Sequence, residues 1–292
     1  MVAAGKFQDE ASARPGERGV QPRSRDRSRR DRERPGHEVL VGVHPVREAL
    51  RARRRELIRL LLRGGERNPR PEVLDLLERA RVVGVAVDEV PADRFDREAP
   101  GGVAHQGVLL EVGPIPIVDL EDLVPTSGDC WLVALDGIED PQNLGAILRV
   151  AEGAGARGAL LPERRVAPLS PAVARASAGA LEHLPVAQVT NLARSLAWLK
   201  QREFWIHAAD PTDGRDLYEI PDRLLTGRLV LVLGAEGRGL RPGVRAAVDV
   251  LVRIPMTGVV ESLNVASAAA VVLFEWTRRA RLRGRVSDAE RA

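Results

Sequence analysis

Residues 228–234 read Arg-Leu-Val-Leu-Val-Leu-Gly, five consecutive aliphatic side chains closed by a glycine. A strand with one wet face alternates apolar and polar residues, so an unbroken run predicts a strand covered on both faces. The neighbouring segments repeat the theme. Strands are expected at 131–136, at the apolar stretch after Gly158, at 184–189, at 204–209 and at 249–255. Helical spacing is expected at 143–155, 170–181, 190–202 and 262–283. Strands alternating with helices predict a mainly parallel sheet with helices on both faces. Ligands of such sheets sit at the carboxyl ends of the strands.

Upstream, a second and smaller α/β unit is expected over 38–113. It would hold a helix from about Pro45, strands at 57–62, 82–87 and 105–112, and a helix over 71–80. Pro45 suits a first helical turn. The stretch 114–129 carries three prolines and a polar cluster, the composition of a linker. These readings divide the chain into a tail (1–36), a small domain (38–113), a linker (114–129), a larger domain (130–284) and a short C-terminal tail (285–292). The linker is expected to let the small domain swing.

Charge is distributed unevenly. Residues 1–36 hold ten Lys/Arg and six Asp/Glu, which leaves 34 basic and 35 acidic residues in the remainder. The tail has almost no large apolar side chains and cannot form a core. It reads either as a nucleic-acid-binding arm or as a solvated extension. Only Lys6 and Lys200 are lysines, so nearly all positive charge is guanidinium, which suits bidentate phosphate contacts. One cysteine, Cys130, rules out an internal disulfide framework and fits a reducing, cytoplasmic setting. The five histidines are scattered without ligand spacing, so no metal site is expected. No apolar run is long enough to span a bilayer, and no membrane association is expected.

Gly153-x-Gly155-x-x-Gly158 matches the dinucleotide fingerprint formally. That fingerprint needs a strand before it and a helix after it, and here the order is reversed, so the glycines read as helix terminators. Three other polar clusters stand at strand ends. "NLGAILR" brings Asn143 and Arg149, "LGAEGRGL" brings Gly234 and Glu236, and "IPMTGVVESLNVASAAAVVLFE" brings Ser262 and Asn264. Capping explains part of the last group, since Ser and Asn accept hydrogen bonds from a first helical turn. It does not explain polar, glycine-bearing clusters at three strand ends of one sheet.

Together the three clusters resemble the three signature motifs of the SpoU (TrmH-type) RNA 2′-O-ribose methyltransferases, of the SPOUT class. "GVHPVREAL" and "HQGVLLEV" resemble the opening and end of that family's RNA-binding domain, with His44 where an Asn is usual. The likeness spans about residues 38–283 and is nearest the branch that methylates a guanosine ribose in large-subunit rRNA. It implies an α/β trefoil-knot catalytic domain, S-adenosylmethionine as cofactor, RNA as substrate and a homodimer formed through the catalytic domain. The apolar residues Val265, Val271, Val272, Leu273, Phe274 and Trp276 surround most of the last helix, as such a dimer would require. Matching positions nominate Gly234, Ile254, Met256, Gly258 and Leu263 for the cofactor, and Asn143, Arg149, Glu236, Ser262 and Asn264 for catalysis. The resemblance implies Arg149 as general base. A guanidinium stays protonated in proteins, so a phosphate clamp and stabiliser of a developing alkoxide is the chemically sounder role. Two alternatives stay open: the same chemistry on tRNA or another rRNA nucleotide, and a non-catalytic RNA-binding protein with this fold.

Overall fold

The computed structural model describes residues 36–65, 69–102 and 104–289, with side chains through Leu282. The 1–36 tail and the end of the chain beyond Ala289 fall outside the described residues, Gly36 excepted. Strand β1 (Glu38–Val41) leads into α1 (Val43–Ala52), β2 (Leu57–Arg63), α2 (Pro71–Val83), β3 (Ala86–Val90), α3 (Ala92–Glu98) and β4 (Val108–Val112). They form a four-stranded sheet in the order β1-β4-β2-β3, in which β4 runs antiparallel to β1 and β2. The strand expected at 82–87 is displaced. Val82 and Val83 finish α2, and Gly84 ends that helix in the left-handed region at φ 80°, so β3 begins only at Ala86. Strand β1 and helix α3 carry no strong sequence pattern and were not anticipated.

The second sheet comprises β5 (Ile117–Val118), β6 (Cys130–Asp136), β7 (Gly158–Pro162), β8 (Val186–Val189), β9 (Phe204–Ala209), β10 (Arg215–Asp216), β11 (Arg228–Gly234) and β12 (Val250–Arg253). All pairings are parallel, in the order β10-β12-β9-β11-β6-β7-β8-β5. Its helices are α4 (Pro141–Gly153), α5 (Pro171–Ala176), α6 (Leu192–Lys200), α7 (Pro242–Arg245) and α8 (Val265–Ala289). The run at 228–234 behaves as its composition requires. Leu229, Leu231 and Leu233 face the core under α4, α5 and α8, while Val230 and Val232 face the core under α6 and α7. The helix expected over 170–181 is split into α5 and a short 3-10 turn at Ala180–Glu182. The last helix starts at Val265 rather than 262; Ser262, Leu263 and Asn264 are outside the helix and line the site.

The stretch 114–129 is no free linker. Strand β5 joins the sheet edge beside β8, and Leu123 is buried in the 3-10 turn Leu120–Leu123. The small sheet and the large one also share a continuous apolar core, in which Leu40, Val46 and Val112 cluster with Val173, Leu181 and Leu184. Across this junction the Arg55 guanidinium grips Glu182 with two hydrogen bonds of 3.0 and 2.9 Å and reaches Glu38 at 2.8 Å. Both Arg55 and Glu182 side chains are almost fully buried. Nearby, Gly179 sits at φ +90°, and a Cβ there would meet the Glu48 Cβ at 2.6 Å, so only glycine permits this approach. The small domain is therefore docked, and the expected swing gives way to a shared core and a buried ion pair. Most of the apolar circumference of α8 is used in the same way: Val265, Val272, Leu273 and Trp276 are buried within the chain, and Phe274 is left half exposed.

Candidate active site

The site forms where β6, β11 and β12 release their chains at the carboxyl edge. Asp136, the last residue of β6, is buried and accepts hydrogen bonds from the Arg241 backbone N–H (2.8 Å) and guanidinium. This pins the far end of the loop that leaves β11. The loop's near end is fixed by contact between backbones. A Cβ on Gly234 would lie 2.6 Å from the Gly239 carbonyl carbon and 2.9 Å from the Leu240 nitrogen. Between these anchors the glycine-rich turn holds Glu236 out at the sheet edge.

Helix α4 begins with Asp140, whose carboxylate accepts from the N–H groups of Gln142 (3.1 Å) and Asn143 (3.2 Å). Because Asp140 caps the helix, the Asn143 amide is released for another task. Its Nδ2 donates to Glu236 Oε1 at 3.2 Å. Asn264 completes a triangle, donating from Nδ2 to Glu236 Oε1 (2.8 Å) and to Asn143 Oδ1 (3.0 Å). Its own Oδ1 accepts from Ala266 N at 2.9 Å, which caps α8. One carboxylate oxygen of Glu236 thus receives two amide hydrogen bonds, and the other, Oε2, has no hydrogen bond among the described residues. Three residues from three strand ends meet here, separated by up to 121 positions in the chain.

Beside this triangle lies a cavity of about 780 Å³, within the roughly 300–1,000 Å³ typical of small-molecule sites. Gly234, Glu236, Ile254, Met256, Ser262, Leu263 and Asn264 all line it. Asn143 instead lines a second, smaller cavity that shares Glu236 with the first. Gly258 lines neither, and a Cβ there would meet no atom within 4 Å. Arg149 also lines neither; it is exposed on α4, more than a helical turn beyond Asn143. Asp210 was missed by the sequence reading. It follows β9, lines the larger cavity and binds Arg245. Burial pushes its carboxyl up, but the Asp213 and Thr212 backbone N–H groups and the Arg245 guanidinium outweigh this and hold it well below the usual range. The signal that could have found it is "AADPTDG", a fourth polar, glycine-bearing cluster at a strand end.

A parallel sheet whose carboxyl-edge loops border one cavity, with a carboxylate held there by two amides, is the ligand-binding arrangement of an open α/β sheet. Comparison with known proteins gives the family. The SpoU rRNA Methylase family model matches residues 131–274, and the model for RNA 2′-O ribose methyltransferase substrate binding matches residues 39–117. The chain is 40% identical to the 23S rRNA (guanosine-2′-O-)-methyltransferase RlmB of Pseudomonas aeruginosa, over 83% of this chain and 96% of that protein. It is 39% identical to the same enzyme of Xylella fastidiosa, over 82% and 96%. The crystal structure of the SpoU methyltransferase AviRb from Streptomyces viridochromogenes with AdoMet superposes with a TM-score of 0.70 at 27% identity, covering 87% of this chain and 93% of that one. The chain belongs to the SpoU family of RNA 2′-O-ribose methyltransferases, which use S-adenosylmethionine.

The residues present fit that cofactor. The larger cavity offers the Gly234 strand end, apolar walls at Ile254, Met256 and Leu263, and the exposed carboxylate of Glu261 for a cationic or hydroxyl-bearing ligand. Among the described residues no His/Cys/Asp/Glu group could hold a metal, and no helix is long and apolar enough to cross a membrane.

Proposed function

We propose that this chain methylates the ribose 2′-oxygen of one guanosine in large-subunit rRNA, with the Asn143–Glu236–Asn264 triangle as the reaction centre. The relatives named 23S rRNA (guanosine-2′-O-)-methyltransferase, which align over almost their whole length, support the substrate. The observation that carries the site is the half-engaged carboxylate: Glu236 Oε1 is fixed by two amides, Oε2 has no hydrogen bond among the described residues, and Glu236 lines both cavities.

S-adenosylmethionine in the larger cavity supplies an electrophilic methyl group on a sulfonium. Gly234, Ile254, Met256 and Leu263 would hold it there. A ribose hydroxyl is a weak nucleophile, so this chain must orient it and accept its proton. Glu236 Oε2 takes that proton, and the Asn143 and Asn264 amides keep Oε1 in place so that the free oxygen points at the hydroxyl. Ser262, exposed at the cavity rim, positions the ribose. Gly258 shapes the turn from outside the cavity rather than contacting the cofactor. Arg149 is assigned to an RNA phosphate and the developing alkoxide, reached across a homodimer interface. It lies one helical turn before Gly153, where the half-exposed Phe274 of α8 packs nearby. Phe274 together with the exposed Val259 and Val260 supports pairing through the catalytic domain. The return of the chain from β12, between β9 and β10, into α8 packed on α4 and β11 is read as the trefoil knot of the family. An rRNA substrate places the enzyme in the cytoplasm.

The test is tritium transfer from labelled S-adenosylmethionine to unmodified 23S rRNA and to tRNA in parallel, with sedimentation of the enzyme at micromolar concentration. Label in 23S rRNA as 2′-O-methylguanosine and a dimer are expected. Label only in tRNA would reassign the substrate, and a monomer would remove Arg149 from the site.

A further inference from the structure

The smaller cavity, about 280 Å³, lies between the loops that follow β6 and β11. Its volume falls just under the roughly 300–1,000 Å³ range of small-molecule sites. It shares Ala235, Glu236, Arg238 and Val265 with the larger cavity, so a group seated in it lies next to anything seated there. Its wall is chemically two-sided. Glu139 offers a carboxylate and Arg238 a guanidinium. Both are exposed, and among the described residues neither side chain has a hydrogen bond or ion pair. The adjacent charges do not share this freedom: Asp140 caps α4, and Arg241 is bound to Asp136. Apolar surface from Ile138, Ala235 and Val265 completes the cavity.

We infer that this cavity receives the target nucleobase and that Glu139 and Arg238 select guanine. The inference rests on the proposed reaction and deepens it by naming the residues that read the base. Guanine presents N1–H and N2–H donors on its Watson–Crick edge and the O6 and N7 acceptors on the other side. A carboxylate accepts from the first pair, and an arginine donates to the second in the commonest specific contact made with guanine. Adenine, with an acceptor at N1 and a donor at N6, would set a lone pair against Glu139 and an amino group against Arg238. RNA enzymes of this kind read splayed, unstacked bases, whose edges are accessible. The open rim of the cavity at Glu236 places the ribose of such a base beside the proposed proton acceptor.

The experiment uses the intact chain and a 23S rRNA transcript in which the mapped guanosine is replaced, by splinted ligation, with inosine, 7-deazaguanosine or adenosine. Inosine lacks only the N2 amino group, and 7-deazaguanosine lacks only N7. Each loses one hydrogen bond to a charged group, so single-turnover methylation is expected to fall about 10- to 100-fold, and adenosine further. Glu139→Ala, which removes the acceptor, should lower transfer to guanosine about 10- to 100-fold and make inosine no worse than guanosine; Arg238→Ala should do the same for 7-deazaguanosine. Binding of S-adenosylmethionine, measured calorimetrically, controls for folding of the Glu139 variant, since Glu139 lies outside the larger cavity; Arg238 lines both cavities, so thermal unfolding by circular dichroism is the control for Arg238→Ala. The proposal is overturned if the intact enzyme methylates inosine and adenosine as fast as guanosine, or if inosine remains impaired in Glu139→Ala. Failure of the intact enzyme to methylate any transcript would instead overturn the proposed function.

Discussion

Replacing Arg55 by alanine tests whether the two sheets act as one body. The guanidinium makes two hydrogen bonds to Glu182, one to Glu38 and one to the Gly113 carbonyl at 3.3 Å. Removing it leaves Glu182, whose side chain is 0% exposed, as an uncompensated charge. Burial already pushes that carboxyl up even with Arg55 present. Deleting one partner of a buried pair destabilises by about 3–5 kcal/mol, whereas replacing both partners by apolar residues is close to neutral. For a folded body of this size, 1 kcal/mol corresponds to about 2–4 °C in Tm. Arg55→Ala should therefore lower Tm by roughly 6–20 °C at pH 7.5, and the double variant Arg55→Met, Glu182→Leu should recover most of it. Thermal unfolding by circular dichroism reads the shift, and limited proteolysis between 113 and 129 reads undocking. A Tm within 2 °C of the intact chain for Arg55→Ala would show that the junction carries no such pair in solution.

His207 is fully buried in β9 against Trp276, neither ring nitrogen has a partner among the described residues, and burial lowers its pKa to about 4. The folded value lies below the ordinary 6.5, so its contribution is complete above pH 6.5 and is lost as pH falls towards 4, by about 3 kcal/mol in all; urea titrations at pH 7.5 and 4.5 should show this slope, and His207→Leu should flatten it. Gly234→Ala drives a Cβ into the Gly239 and Leu240 backbone, so S-adenosylmethionine affinity should fall at least about tenfold, measured by calorimetry, for a strain on the order of 1–3 kcal/mol. Arg149→Ala should lose most methyl transfer and keep cofactor affinity, because Arg149 stands outside the cofactor cavity, while Arg149→Lys should retain part of the transfer as a phosphate contact would; full transfer by Arg149→Ala excludes the assigned role.

Where sequence and structure agree, the signal was local or repeated. The 228–234 run dictates a strand covered on both faces, and Asn143, Glu236 and Asn264 each follow a strand in an oversized polar cluster. The failures have a common physical origin in long-range contacts that no local pattern reports. Arg55 and Glu182 lie 127 positions apart, and neither residue type predicts burial, so the docked small domain was invisible. The prolines of 114–129 look like a linker until β5 finds β8. Val82 and Val83 favour a strand by composition, but α2 continues through them until Gly84 supplies a left-handed stop. Arg149 could be placed on α4 from the sequence, whereas its exclusion from both cavities depends on how α4 is rotated in the packed chain.

The most direct measurement of the central claim is single-turnover methyl transfer to unmodified 23S rRNA by the intact chain and by Glu236→Gln, with nuclease digestion and mass spectrometry to identify the product. Glu236→Gln keeps the shape and the amide contacts of the triangle's geometry but cannot accept a proton. The account predicts 2′-O-methylguanosine at one position with the intact chain, and transfer at least about 100-fold slower with Glu236→Gln at unchanged cofactor affinity. Equal rates for the two proteins, or methyl groups on a base rather than a ribose, would contradict it.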